Sequence, residues 1–143
     1  KAMGNHIYGC DDCQIVCPWN SFAVKTDEEA FRERDGSRHL VELIRMDDEG
    51  FRKRFKKSPV KRTKRRGLLR NVAVALGNSG NLSAVAPLTG ALSDHEPLIR
   101  AHVVWALGEL LGEKALSVFD ENLRDEKEEM VKNEIKLVQA TYS

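Results

Sequence analysis

The chain has 143 residues, 41% of them hydrophobic and 31% charged, a balance that fits a folded globular protein and excludes an intrinsically disordered or collagen-like one. No apolar run approaches the roughly 18 residues needed to cross a bilayer. The formal net charge of +1 hides strong segregation: Arg52 to Arg66 holds 10 Lys/Arg and no acid, and the other 128 residues carry 13 bases against 22 acids.

Residues 1–36 form the first zone. The opening, KAMGNHIYGC, reads neither as a signal peptide nor as a lipidation signal. It enters a dense motif within ten residues, which we take as the mark of a fragment of a longer chain. All three cysteines lie in IYGCDDCQIVCPWN, Ile7 to Asn20. Such clustering argues against a secreted disulfide framework and for a reducing cytoplasm. Cys10-x2-Cys13-x3-Cys17-Pro18 matches the last three cysteines and the proline of the ferredoxin run C-x2-C-x2-C-x3-C-P, with Ile7 where the first cysteine would stand. Soft thiolates stabilise iron–sulfide cores, and tight spacing wraps backbone amides around the sulfides. In two-cluster ferredoxins the fourth cysteine of a run ligates the other cluster. By that logic Cys10 and Cys13 serve one [4Fe–4S] cluster and Cys17 a second, with the remaining ligands outside this chain. Three unrelated thiols, or a zinc knuckle, are the alternatives; the latter lacks a histidine at a useful spacing, and His6 reads as a loop residue. Trp19 either fills a small core behind the loop or shields a cofactor, with Asn20 beside it. A short turn or helix is expected around Gln14 to Val16, and TDEEAFRERDG reads as a polar stretch, its DEE an acidic loop or helix start.

Residues 37–66 form the second zone, of connecting helices and the basic segment. Ser37 is an expected N-cap, and Leu40, Leu43 and Ile44 give one apolar helical stripe. Asp47 starts a second short helix with Phe51 and Phe55 on one face; acids at its start and bases at its end suit the helix dipole. Ser58-Pro59 breaks it. The ten cations that follow from Arg52, with Phe55 among them, suit a phosphate backbone; a solvated linker is the blander alternative.

Residues 67–143 repeat. Ala75-Leu76-Gly77 matches Ala106-Leu107-Gly108 at an offset of 31, Ala84-Val85 maps onto Ala115-Leu116, and Leu92-Ser93-Asp94 maps onto Leu123-Arg124-Asp125. A partial third copy places Leu107 over Val138. A period of about 30 with two helices per unit indicates a helical solenoid. Leu98, Val104, Trp105, Leu107 and Leu111 are expected to face the core or nearly so. Gly77, Gly80, Gly108 and Gly112 are expected to permit tight turns between paired helices. The polar end, RDEKEEMVKNEIKLVQATYS, would cap the stack. The phrase PLIRAHVVWALGELLGEKAL resembles the short HEAT-like repeats also called PBS-lyase repeats. The fold class expected is therefore mainly α, a remnant of a ferredoxin-like cluster loop followed by a HEAT-like helical repeat domain.

Taken together, GNHIYGCDDCQIVCPWN and FKKSPVKRTKRRGLLRNVAVALGN resemble the C-terminal part of the epoxyqueuosine reductase family. The resemblance covers nearly the whole chain and is strongest over residues 4–20 and 55–78. It implies an enzyme that reduces epoxyqueuosine to queuosine in tRNA, with two [4Fe–4S] clusters, cobalamin bound by an N-terminal region, and C-terminal HEAT-like repeats. It implies that the ligand replaced at Ile7 comes from a cysteine further upstream. Cys10, Cys13 and Cys17 would be cluster ligands, and Trp19 and Asn20 would lie beside a cofactor. Arg62, Arg65, Arg66 and Arg70 would contact tRNA, because guanidinium forks bind phosphate oxygens well; Arg70 and Asn71, at the start of a solenoid helix, could serve packing or capping instead. Partners implied are tRNA, an electron donor and the missing N-terminal region, with no membrane. The cobalamin site, the first cysteine motif and the proposed proton donor are absent from this chain, so the fragment alone is expected to be inactive and to hold no cofactor by itself. A stand-alone HEAT-like module that binds RNA or protein, with a vestigial cysteine loop, is the alternative.

Nothing else in the chain carries a catalytic signature. There is no glycine-rich phosphate loop, no Gly-x-Ser-x-Gly and no supported carboxylate pair. His39, His95 and His102 have no spaced acid or cysteine partner and read as surface or helix-packing residues.

Overall fold

The structure is a computed structural model that describes residues 4–29 and 40–142. Among the described residues every regular element is helical. The elements are α1 (Asp12–Ile15), α2 (Leu40–Ile44), α3 (Asp48–Arg54), α4 (Lys64–Asn78), α5 (Val85–Ala91), α6 (Pro97–Leu111), α7 (Ala115–Asn122) and α8 (Glu129–Tyr142), with 3-10 turns at Pro18–Phe22, Pro59–Thr63, Leu82–Ala84 and Gly112–Lys114.

Three long helices carry the core. α4 packs against α6 and α6 against α8, while the shorter α5 and α7 lie against α6 and α2 closes the other end on α4 and α5. The amphipathic pattern explains why. On α4, Leu68, Leu69, Val72 and Leu76 recur at three- and four-residue spacing and are all buried, so one face must find a cover. α6 is buried on two sides: Ile99, Val103, Val104 and Leu107 are each fully inaccessible. A helix between two neighbours needs that, and no helix pair here could bury its apolar face alone.

The local signals of the second zone hold. Leu43 and Ile44 are buried in α2. Asp47 caps α3, its Oδ1 accepting the Gly50 N–H at 2.7 Å, and the Phe51 and Phe55 rings meet at a tilt with centroids 5.2 Å apart. Ser58 Oγ accepts the Val60 N–H at 3.3 Å where Pro59 begins the 3-10 turn. Ser37 and His39 lie outside the described residues. α4 begins at Lys64, so the expected boundary between 66 and 67 falls inside its first turn. Val104 and Leu107 are fully buried, while Leu98, Trp105 and Leu111 are half-buried.

The glycines divide differently from expectation. Gly80 and Gly112 have φ of 65° and 58° and do terminate helices. Gly77 and Gly108 are not turn residues but lie inside the last turns of α4 and α6. A Cβ on Gly77 would stand 2.9 Å from the Ala106 backbone and 2.9 Å from the Trp105 ring, and one on Gly108 would stand 2.9 Å from Val138. Their missing side chains let neighbouring helices approach closely, α4 against α6 at Gly77 and α6 against α8 at Gly108.

The helix N-termini carry a second recurring device. Arg65, in the first turn of α4, reaches across to Asp94 in the α5–α6 loop, and Arg100, in the first turn of α6, reaches to Glu126 in the α7–α8 loop. The second pair is bidentate, Arg100 Nε to Glu126 Oε2 at 2.7 Å and Nη2 to Oε1 at 2.9 Å, and Arg100 Nη1 also donates to the Asp94 carbonyl at 2.7 Å.

Candidate functional site: the cysteine loop and the basic edge

The cysteine loop is held by its own backbone. Asp11 takes a left-handed conformation at φ 55° and α1 starts behind it. The Gln14 and Ile15 N–H groups both donate to the Asp11 carbonyl, at 2.8 and 2.9 Å, and the Asn20 N–H donates to the Cys17 carbonyl at 3.0 Å. Asn20 Nδ2 donates to the Gln14 carbonyl, so Asn20 ties the turn after Cys17 back to α1. Neither α1 nor the following 3-10 turn contains a buried residue.

Among the described residues Trp19 fills no core. It is 80% exposed and makes a tilted ring contact with Phe22 at 6.5 Å. Ile15, Val16, Phe22 and Val24 are likewise between 76% and 90% exposed. With so much large apolar surface on one short segment, this face has the character of an interaction surface.

Cys10 and Cys13 are exposed, Cys17 is half-buried, and all three are free thiols. Among the described residues no group of three or more His, Cys, Asp or Glu side chains converges in a way that could hold a metal ion. The donors have the type and spacing that an iron–sulfur cluster takes, but three thiols on one loop leave a four-ligand site incomplete.

The basic edge is assembled from three elements. Arg52, Lys53 and Arg54 end α3, Lys61 and Arg62 end the 3-10 turn, and Lys64, Arg65 and Arg66 open α4 with no acid in that turn. Cations at a helix N-terminus oppose the macrodipole, at about 0.3–1 kcal/mol each in exposed settings. Thr63 gives α4 no side-chain cap; its hydroxyl donates instead to the Val60 carbonyl at 2.8 Å. The leading amides of α4 and the surrounding cations thus form an arrangement suited to an anion.

The four arginines expected at this edge have different fates. Arg62 and Arg66 are exposed. Arg65 is turned inward, with a side chain only 9% exposed; its Nε donates to the Met46 carbonyl at 2.8 Å, its Nη1 donates to Asp94 Oδ1 at 3.1 Å, and its Nη2 donates to Oδ2. That corrects its assignment to tRNA: three of the five guanidinium N–H donors are committed to a carboxylate and a carbonyl, and the 9% exposed side chain is turned away from the solvent in which a phosphate would lie. Burial pushes the Asp94 carboxyl up, but the hydrogen bonds from Arg65 and the Glu96 N–H outweigh it and hold the group below its usual range. Arg70 is half-buried and donates Nε to Asn71 Oδ1 at 3.0 Å.

Asn71, expected to serve packing or capping, and Asn78, which carried no expectation, both meet the segment that leads to the cysteines. Asn71 Nδ2 donates to the Ile7 carbonyl at 2.9 Å, and Asn78 Nδ2 donates to the Gly4 carbonyl at 2.7 Å. Their spacing of seven on one helix face was the available signal. Of the histidines, His95 is 66% exposed, 3.6 Å from Asp48 and 3.7 Å from Asp94, and His102 Nδ1 lies 2.9 Å from the Leu98 carbonyl.

A family model of HEAT repeats matches residues 63–138, more than half of the chain. The chain belongs to the HEAT-repeat family. Over its wider length this HEAT-repeat protein is similar to epoxyqueuosine reductases. One from Xanthomonas campestris is 44% identical over 112 residues, which are 76% of this chain and 32% of that protein. One from Escherichia coli is 38% identical over 109 residues, 75% of this chain and 29% of that protein. A crystal structure of selenomethionine-labeled epoxyqueuosine reductase matches with a TM-score of 0.85 at 27% identity, covering 99% of this chain and 39% of that one. An epoxyqueuosine reductase crystallised with a tRNA-Tyr epoxyqueuosine-modified tRNA stem loop matches with a TM-score of 0.79 at 28% identity, covering 96% of this chain and 38% of that one. The chain thus spans about a third of the length of the curated relatives it matches, and the resemblance read from its sequence holds.

Proposed function

We propose that this chain works as the C-terminal part of an epoxyqueuosine reductase, a cytoplasmic oxidoreductase that reduces epoxyqueuosine to queuosine in tRNA. The observation that carries this reading is a likeness spanning 99% of the chain, cysteine loop and repeats together. Cys10, Cys13 and Cys17 would ligate iron–sulfur clusters, the remaining ligands coming from an upstream region that also binds cobalamin. The clusters and the corrinoid, when bound, supply the electron transfer that the side chains of this segment cannot perform. The chain's own residues bind and orient. The exposed face of Ile15, Val16, Trp19 and Phe22 receives that upstream region and keeps water from the cofactors. Asn20 fixes the backbone after Cys17. Arg62 and Arg66 meet tRNA phosphates beside the amides that open α4, placing the RNA without reading its sequence, and Arg70 offers its terminal nitrogens one turn further on. An external reductant or electron-donor protein completes the system.

The test has two arms. Anaerobic reconstitution of the full-length protein with all three cysteines changed to serine should lower its iron content; full retention of iron refutes the ligand assignment. Changing Arg62 and Arg66 to glutamine should flatten the dependence of tRNA affinity on salt by about one logarithmic unit per lost contact, and an unchanged slope removes the phosphate contacts. A stand-alone HEAT-like module with a vestigial cysteine loop is the second reading, favoured by the three thiols not converging on a metal-holding group; iron-free full-length protein that still binds tRNA would select it.

A further inference from the structure

Most of the cysteine loop is exposed, and the points at which it is fastened lie before the first cysteine. Asn71 and Asn78 stand two turns apart on one face of α4, about 10 Å along the helix axis. They hold the carbonyls of Ile7 and Gly4 respectively. A three-residue step of chain reaches about 10 Å at most, so the segment runs along α4, antiparallel to it, rather than looping away. The Ile7 side chain packs against the solenoid core, a second hold on this peptide. Arg70 Nε donates to Asn71 Oδ1 at 3.0 Å. That bond sets the direction of the amide, since Oδ1 is the acceptor and Nδ2 must face the Ile7 carbonyl. Beyond this point the chain turns outward at Gly9, φ 68°, and Cys10 follows.

We infer that Asn71, oriented by Arg70 and assisted by Asn78, is a positioning residue that fixes where the cysteine loop leaves the helical repeats. The inference deepens the cluster-ligand reading and rests on it for its consequence: Cys10 reaches a cluster from a defined starting point because a repeat helix holds the peptide three residues before it. The loop then needs no hydrophobic face of its own, consistent with the absence of buried residues in α1 and the turn after it.

The experiment compares unaltered protein with Asn71→Leu, which keeps the bulk but has no donor, and Asn71→Asp, which keeps the shape but cannot donate to a carbonyl. In the 143-residue chain, backbone order parameters of residues 7–9 should fall below about 0.6, the flexible range, while the thermal midpoint of the repeats stays within a few degrees. In the full-length holoprotein, the electron paramagnetic resonance signals of the reduced clusters should broaden or shift in both variants, with Asn71→Gln, which retains an amide donor, closer to the unaltered spectrum. Unchanged order parameters in both donor-less variants overturn the inference. Unchanged cluster signals beside lowered order parameters overturn the positioning of Cys10. If unaltered full-length protein holds no iron and the order parameters still fall, the clamp stands and the cluster reading fails.

Discussion

Asp94→Asn tests the reassignment of Arg65 from RNA contact to structure. The substitution keeps the shape and an acceptor for the Glu96 N–H, which Asp94 Oδ1 receives at 3.0 Å, while it removes the charge and turns Oδ2, the acceptor for Arg65 Nη2, into an amide donor. Arg65 is then a guanidinium 9% exposed to water, with the Met46 carbonyl as its remaining strong acceptor. Leaving one partner of a buried pair uncompensated costs about 3–5 kcal/mol. For a repeat domain of this size about 3 kcal/mol corresponds to a fall of roughly 12–24 °C in Tm. The assay is thermal unfolding followed by circular dichroism at neutral pH. Adding Arg65→Met to the variant should recover most of the loss, because no unpaired charge then remains buried. The pH dependence has a definite sign. The folded carboxyl is held below its ordinary value, so its contribution is fully present above the unfolded carboxylate range and is lost as pH falls through the folded value. The gap between the unaltered protein and Asp94→Asn should therefore close in acid. A loss below about 1 kcal/mol at neutral pH, typical of a surface pair, would refute the reasoning and reopen Arg65 as a phosphate ligand.

Gly77→Ala should destabilise the repeats by about 1–3 kcal/mol through overpacking, although alanine is the better helix former, because its Cβ would meet the Ala106 backbone at 2.9 Å. Gly90→Ala, also in a helix but with nothing within 4 Å, should stabilise by about 0.5–1 kcal/mol; urea midpoints for the two variants should move in opposite directions. Burial holds the Glu134 carboxyl above its usual range against the opposing influence of His102. Stability is therefore lost as pH rises through the folded value, and Glu134→Gln should unfold later than the unaltered protein at pH 7, with the advantage vanishing in acid.

The repeat was legible because its period is carried by apolar and small residues whose spacing survives from unit to unit. The cysteine loop was legible for the opposite reason, as a ligand pattern with no hydrophobic period at all. Arg65 was misassigned because it sits in a run of ten cations where charge density hides identity. The signal was present: Arg65 is three residues before Leu68, four before Leu69 and seven before Val72, on the face of α4 that is buried. Its partner Asp94 lies 29 residues away, and no local pattern reports such a pairing. Gly77 and Gly108 read as turn residues because glycine's two uses, backbone freedom and the absence of a side chain, look alike in sequence. Of the two readings of Trp19, a small core or a cofactor shield, the described residues supply no core for it.

These features converge on α4. Its first turn is locked to the next repeat by Arg65 and Asp94, and its last turn is locked by the bare backbone of Gly77 against α6. The same helix presents exposed cations at its N-terminal end and two asparagines that hold the chain leading to Cys10. A helix fixed at both ends by tertiary contacts transmits position with little loss, because packed helices shift between discrete arrangements rather than bending continuously. Under the proposed function, the same rigid element would set both where the RNA backbone rests and where the cysteine loop begins. That predicts a specific pattern of coupling: Gly77→Ala, which removes none of the polar groups that hold the loop or would meet the RNA, should lower tRNA affinity and disturb the cluster signals together. Gly108→Ala, which produces an equally close contact one repeat away, against Val138, should cost comparable stability and leave both readouts near those of the unaltered protein. Equal effects of the two glycine variants on RNA binding and cluster signals would show general loosening of the stack instead, and would remove α4 from its special place.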